Sequence, residues 1–235
     1  MGTSFQNVAM TLALAVLSGA GRAQETGDAA AVMDRISWFG HSSVRIESGG
    51  RIVYVDPISF RKGEKADLIL VTHLHEDHYS RACVQALTKP GTVVVAPRDL
   101  GTGNRILKPG EKAMLAGFPV EAVPAYNIVR KQFHPRSDAN NGYIVTVEGV
   151  RVYHSGDTER IPEMQGFRCG IAMVPLGQKY TFGSVGEAVA AVLDTGAHFA
   201  MPIHWGMNEG TAADARLFRD ELGKKGVTVV LPDRQ

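Results

Sequence analysis

Apolar residues along this chain fall mostly into short runs bounded by Gly, Pro and small polar residues, which is the pattern of strands, and three segments read instead as helices. Arg35 to Phe39, Ser43 to Glu47 and Arg51 to Val55 read as strands, the last two joined by hairpin chemistry at Gly49-Gly50. Ala66 to Thr72 follows as a buried apolar strand. Ser80 can cap a helix that runs to Thr88 and is stopped by Pro90-Gly91, after which Thr92 to Ala96 returns as a strand.

The second half repeats the style. Strands are expected at Lys112 to Leu115, Pro119 to Val123, Tyr143 to Glu148, Arg151 to His154 and Ile171 to Val174, and again at Phe199 to Ile203 and Val227 to Leu231. Helices are expected at Ser184 to Leu193 and Ala212 to Leu222. Two strand-rich halves with helices predict a pair of sheets covered by helices on their outer faces. A brief internal echo fits this: Arg51-Ile-Val-Tyr-Val-Asp56 and Arg151-Val-Tyr-His-Ser-Gly-Asp157 both run a short strand into an aspartate. Pro124 to Gly142 is long for a loop, which marks it as a candidate for lining a site.

The N-terminus has a different pattern. Val8 to Leu17 is an almost unbroken apolar run, too short to be a permanent membrane anchor, and it leads to Gly21-Arg22-Ala23, an A-x-A-like cleavage site. The seven residues before the run carry no Lys or Arg. Residues 1–23 are therefore expected to be a signal peptide, residues 24–32 a polar and alanine-rich linker, and residues 33–235 the folded domain of a periplasmic or secreted protein.

With 235 residues, 44% hydrophobic and 21% charged, the chain can bury one sizeable core. Its formal charge of +1 gives no basic field for nucleic acid or anionic lipid. The two cysteines, Cys83 and Cys169, are too few for a disulfide framework and read as small buried hydrophobes.

The densest chemistry lies in Thr72-His73-Leu74-His75-Glu76-Asp77-His78, directly after an apolar strand. In extended backbone, residues two apart point the same way, so His73 and His75 can reach one ion while Asp77 and His78, in the following turn, reach a second. Three imidazoles crowded together without a metal would be electrostatically and sterically costly.

This segment resembles the signature of the metallo-β-lactamase superfamily, and the likeness extends over about 200 residues. Trp38-Phe-Gly-His-Ser-Ser is similar to the opening strand turn of its hydrolase branches, Val55-Asp56-Pro57 to its buried supporting aspartate, and Tyr153-His-Ser-Gly-Asp157-Thr158 to its bridging-carboxylate motif. Ile203-His204-Trp-Gly is similar to its terminal histidine motif. Taken together, the segments resemble an uncharacterised bacterial and archaeal branch reading AYN, FHP, YHAGDT and PMHYG. The resemblance implies an α/β fold, a four-layer αββα sandwich with a dinuclear metal site at one edge. It implies that His73 and His75 bind a first metal, that Asp77, His78 and His204 bind a second, and that Asp157 bridges them. Asp77 and Asp157 are then the catalytic carboxylates.

One position departs from the superfamily pattern. The third ligand of the first metal is usually a histidine after a strand, but Val123-Pro-Ala-Tyr-Asn127 ends in Asn127 and the nearest histidine is His134. Both remain open, with His134 favoured because imidazole is the better ligand for a borderline divalent ion. His41 and His154 are expected to support or pack beside the site, and His198, in an apolar strand, to be structural. Gln178, Lys179 and Phe182 stand where that branch has Gly, Thr and Met, so substrate preference is expected to differ. Tyr126 and Tyr180 are pocket candidates, with packing as the plainer account.

The resemblance implies a metal-dependent hydrolase in which two divalent ions, Zn2+ first and Mn2+, Fe2+ or Ni2+ as alternatives, share a hydroxide that cleaves an ester, lactone, thioester or phosphodiester of a small molecule. Neither a G-x-S-x-G elbow nor a Walker loop is present. A β-lactamase proper is disfavoured because those enzymes generally lack the bridging aspartate. A non-catalytic metal-binding or sensing module remains a rival, and near-neutral charge argues against a nuclease.

Overall fold

In a computed structural model that describes residues 26–60, 63–207 and 209–231, the strands assemble into two sheets. The first contains β1 (Ile36–Trp38), β2 (Val44–Ser48), β3 (Arg51–Val55), β4 (Leu68–Leu70), β5 (Val93–Ala96) and β6 (Arg105–Ile106), in that spatial order. The second contains β7 (Lys112–Leu115), β8 (Phe118–Pro124), β9 (Asn141–Val147), β10 (Val150–His154), β11 (Ile171–Pro175), β12 (Phe199–Ile203) and β13 (Thr228–Val229), also in sequential order.

Each sheet begins antiparallel and becomes parallel partway across. The change comes at β3 in the first sheet, which is antiparallel to β2 and parallel to β4. In the second it comes at β10, antiparallel to β9 and parallel to β11. These are the two strands of the sequence echo, so Asp56 and Asp157 leave their sheets at equivalent places. Side-chain chemistry in such sheets gathers beyond the carboxyl ends of the strands, where connections diverge.

Four helical segments cover this frame: α1 (described over residues 26–33), α2 (Arg81–Leu87), α3 (Val185–Thr195) and α4 (Ala212–Gly223). The cap expected from sequence at Ser80 is present, and α3 and α4 are capped as well. Ser80 accepts from the Cys83 amide, Ser184 accepts from the Glu187 amide, and Thr211 and Asp214 form a reciprocal capping box. Gly196 ends α3 in the left-handed conformation, at φ 73°.

Three apolar clusters define the layers. Val53, Leu68 and Leu70 of the first sheet meet Val145, Val152 and Met201 of the second in the central core. Ile69, Val84 and Leu87 join the first sheet to α2, while Ala172, Phe182, Val192 and Phe218 join the second to α3 and α4. The result is the expected αββα sandwich.

One boundary needs correction. Residues 24–32, read as a linker, are helical from residue 26, and Ala29 and Val32 are buried in the central core. Their alanine-rich pattern conceals an anchored face because small residues carry little periodic hydrophobic signal. The apolar run, the A-x-A-like site and the expected signal peptide over residues 1–23 lie outside the described residues. Among the described residues, no helix is long and apolar enough to cross a membrane. Cys83 and Cys169 are both free and buried, and burial pushes the Cys169 thiol up to about 12.

Candidate metal centre

Thr72 is the pivot on which the histidine-rich loop leaves β4. Its amide donates to Asp56 Oδ1 at 2.8 Å and its hydroxyl to Asp56 Oδ2 at 2.6 Å. The same Oδ2 lies 2.7 Å from Nδ1 of His78, whose Nε2 then faces Asp157 Oδ1 at 3.2 Å. The buried carboxylate thus sets both the start of the loop and the ring that closes it.

Asp157 arrives from the opposite sheet on a turn that approaches Thr72 closely. Gly156 adopts φ 59°, and a Cβ there would lie 2.8 Å from the Asn141 carbonyl oxygen and 2.9 Å from Thr72 Cβ, so glycine is required on both counts. Asn141 completes the junction: its amide nitrogen donates to the Thr72 carbonyl, and its side chain donates to Leu107 O.

His204 follows β12 in a left-handed turn, as do His41 after β1 and Asp56 after β3, with φ of 54°, 51° and 47°. Non-glycine residues in this region carry strain that the surrounding structure must hold. Here the His41 carbonyl accepts from both the His204 amide and the Trp38 indole, each at 2.8 Å. Trp38 and Trp205 stack with centroids 5.3 Å apart, tying the two turns together.

The side chains gather into three groups whose donor atoms lie within 4.8 Å of one another: His73, His75 and His134; His41, Asp77, His78 and His204; and His73, His78 and Asp157. All seven residues singled out as ligands are therefore brought together. Asp157 lies between the first two groups, with Oδ2 3.4 Å from His134 Nε2 and 3.1 Å from His204 Nε2. His134 joins His73 and His75, and the Asn127 side-chain oxygen is buried with no hydrogen-bond partner. The Asn127 amide donates to Tyr180 O at 2.7 Å and Arg130 O at 3.1 Å.

Nε2 of His78, His134 and His204, together with Asp157 Oδ1, are buried with no hydrogen-bond partner. Buried polar atoms left unpaired are expensive, and these four, distributed over the three groups, fit divalent cations. Nitrogen and oxygen donors without thiolate are of the appropriate kind.

The electrostatics differ around the centre. Burial pushes His73 well down and His134 down. Burial also acts against protonated His78 and His204, but Asp157, helped by Asp56 at His78 and by Glu209 at His204, outweighs it, lifting His78 well up and His204 to about 9. For Asp157, burial opposes ionisation, yet His204 and His78 win and hold the carboxyl well below its ordinary value.

The long loop supplies one wall. The Asn127 amide donates to the His134 carbonyl at 2.8 Å, closing the segment on itself. Buried Glu159 cups the turn by accepting from the amides of Ile128, Val129 and Arg130. Phe133 and Tyr180 meet edge to face, with centroids 4.9 Å apart. They line a pocket of about 260 Å³ with His75, Asp77, His134, Asp157 and His204.

Other expectations divide. His154 packs, with Nε2 2.9 Å from Ser42 O and Nδ1 accepting from Gly156 N. His198 lies outside the three groups. Tyr126 points its hydroxyl at Glu163 and Phe182 is buried in the outer core, so neither lines the pocket, whereas Tyr180 does. His41 is closer to the centre than expected, with Nε2 3.1 Å from Asp77 Oδ2. Glu159 and Glu209 were missed: a lone glutamate in a loop looks like a solvated charge, and the Asp-Thr-Glu run at 157–159 was the only local hint.

A model of the beta-lactamase superfamily domain matches residues 35–204. Over 216 residues the chain is 32% identical to a UPF0173 metal-dependent hydrolase of Nitratidesulfovibrio vulgaris, covering 80% of this chain and 87% of that protein. It is similar in structure to a protein of Parabacteroides distasonis described as a metal-dependent hydrolase, with 34% identity and a TM-score of 0.77 over 85% of this chain and 93% of the other. Igni18, a metallo hydrolase of Ignicoccus hospitalis, shares the fold with a TM-score of 0.69 at 22% identity, over 85% of this chain and 94% of that one. The chain belongs to the metallo-β-lactamase superfamily and, within it, to the UPF0173 metal-dependent hydrolases.

Proposed function

We propose that this hydrolase cleaves an ester, lactone, thioester or phosphodiester bond of a small molecule with the help of two divalent ions. His73, His75 and His134 would hold one, Asp77, His78 and His204 the other, and Asp157 would be shared. The observation that carries this reading is the position of Asp157, whose two oxygens face His78 on one side and His134 and His204 on the other. When bound, such ions acidify a water and polarise the bond to be cleaved.

The chain's own residues would orient and shield that chemistry. Asp56 and Glu209 stand behind His78 and His204, and His41 holds Asp77. Phe133 and Tyr180 present a largely apolar wall that excludes water from one side, and the small pocket admits a compact reacting group. His75 is exposed, which supports an open, catalytic centre over a closed structural one. Asp157 favours this reading over a β-lactamase proper.

The donor set supports Zn2+, with Mn2+, Fe2+ or Ni2+ also compatible. Elemental analysis of fresh protein should find close to two ions per chain. A panel of the four bond classes should reveal turnover that chelation, His75→Ala and His204→Ala each abolish. Protein that neither contains nor takes up metal would overturn the reading. Export, supported by the apolar run and the small residues before Gln24, is tested by sequencing the N-terminus of protein from its own cell.

A further inference from the structure

We propose that Glu209 is a positioning residue that sets the His204 imidazole and the Tyr180 wall of the pocket as one unit, an inference that rests on the two-ion reading for His204's role. Glu209 follows His204 in the loop before α4, yet its side chain is only 4% exposed. Its Oε1 lies 2.9 Å from His204 Nδ1. Its Oε2 turns the other way and accepts from the backbone amides of Lys179 and Tyr180, at 2.8 and 2.9 Å.

The far end of the same wall is gripped as well. Tyr180 O accepts from the Asn127 amide at 2.7 Å, and that amide nitrogen lies 3.4 Å from His134 Nδ1. Residue 180 is thus held at its N–H by the side chain behind His204 and at its C=O by the side chain behind His134. The two histidines that face Asp157 from the second sheet are connected through one aromatic residue that lines the pocket.

Gly177 shows how tightly the carboxylate is seated: a Cβ there would run into the Glu209 carboxylate. A buried carboxylate is costly unless its oxygens are engaged; two backbone amides donate to Oε2, and Oε1 lies at ion-pair distance from the imidazole. A carboxylate 2.9 Å from Nδ1 favours a proton there and leaves Nε2, which faces Asp157 Oδ2 at 3.1 Å, for a cation.

Glutamine separates the two functions. In Glu209→Gln the amide oxygen can still accept from Lys179 and Tyr180, but the –NH2 now faces Nδ1 and favours the opposite tautomer. Glu209→Ala removes both functions, and Gly177→Ala displaces the carboxylate without altering it. The test uses the full chain with Co2+ as the probe, visible spectra to follow each equivalent, and amide hydrogen exchange of the metal-free protein. Near-ultraviolet circular dichroism checks that each variant is folded.

The parent should take up two Co2+ equivalents. Glu209→Gln should keep the affinity and spectrum of the first and bind the second about 10–100-fold more weakly, with an altered spectrum. Lys179 and Tyr180 amides should stay protected in Glu209→Gln and lose protection in Glu209→Ala and Gly177→Ala. Parent-like affinity and spectra in Glu209→Gln would overturn the proposal, leaving Glu209 as a loop staple. Unchanged protection in Glu209→Ala would overturn it from the other side. A parent that binds fewer than two equivalents defeats the two-ion reading instead, and the exchange data still decide whether Glu209 holds the wall.

Discussion

His73 and His134 have neutral groups behind them, whereas His78 and His204 have carboxylates. The Nδ1 atoms of the first pair meet Thr72 Oγ1 at 3.0 Å and the Asn127 amide at 3.4 Å. Those of the second pair meet Asp56 at 2.7 Å and Glu209 at 2.9 Å. All four rings are buried, so desolvation disfavours the charged form in every case. With neutral partners, desolvation outweighs the Asp157 charge and His73 and His134 are pushed down; the carboxylates reverse it and His78 and His204 are pushed up. One centre therefore combines histidines pushed toward the neutral form with histidines pushed toward the protonated form.

The most severe way to break this comparison is to remove what the two groups share. Asp157→Ala should weaken metal binding at both positions by more than about 100-fold, beyond the 10–100-fold typical of residues that only support a ligand. Competition titrations with a chromophoric chelator measure both equivalents. Loss at one position alone would assign Asp157 to that group and end the idea of a shared carboxylate.

His134→Ala and His204→Ala should each remove one equivalent and leave the other, with hydrolysis abolished in both. Metal analysis after gel filtration reads the count. If either variant loses both ions, the groups are a single cooperative site and the division drawn above fails.

Dependence on pH sharpens the contrast at a smaller scale. Below a pKa of about 9, His204 carries a proton that a cation must displace. Affinity at its position should therefore rise with pH, by about tenfold per unit for each proton displaced, and level off near 9. His73 and His134, already pushed down, have no proton to surrender at neutral pH. The same linkage acts on the metal-free fold. A raised folded-state pKa contributes stability that is full below the unfolded value of about 6.5 and is lost as pH rises through about 9. Calorimetric titration in buffers of different ionisation enthalpy counts the protons released, and a count that does not change between pH 6.5 and 9 would contradict the assignment.

Asn127→Ala should produce the smallest change, less than about tenfold, confined to the His134 position. It withdraws a neutral support and leaves the imidazole in place. A larger effect than that of His134→Ala would mean that Asn127 supplies a ligand oxygen.

Local spacing made much of this legible from sequence. Strand runs, the Ser80 cap and the His-x-His-x-Asp-His cluster all depend on neighbours within a few residues, as does the echo that ends in Asp56 and Asp157. The short strand β6 was not expected, and residues 24–32 were misread, because two strand residues and an alanine-rich helix carry little periodic signal. His41, Glu159 and Glu209 were undervalued for a related reason: each acts on residues far along the chain or on backbone amides, which leave no mark in composition.

The amino-acid sequence by itself determined the layered fold, the family and a set of metal-competent side chains, because these follow from periodicity and from residue types at short spacing. Only the tertiary structure brought His134 to His73 and His75, since that depended on how a 17-residue stretch, Ala125 to Asn141, closes on Glu159 and against Tyr180. It also decided which histidines are pushed toward the protonated form and which toward the neutral one. Burial and partner charge set those states, and both come into existence only when β4, β10 and β12 bring their carboxyl ends to one edge of the sandwich.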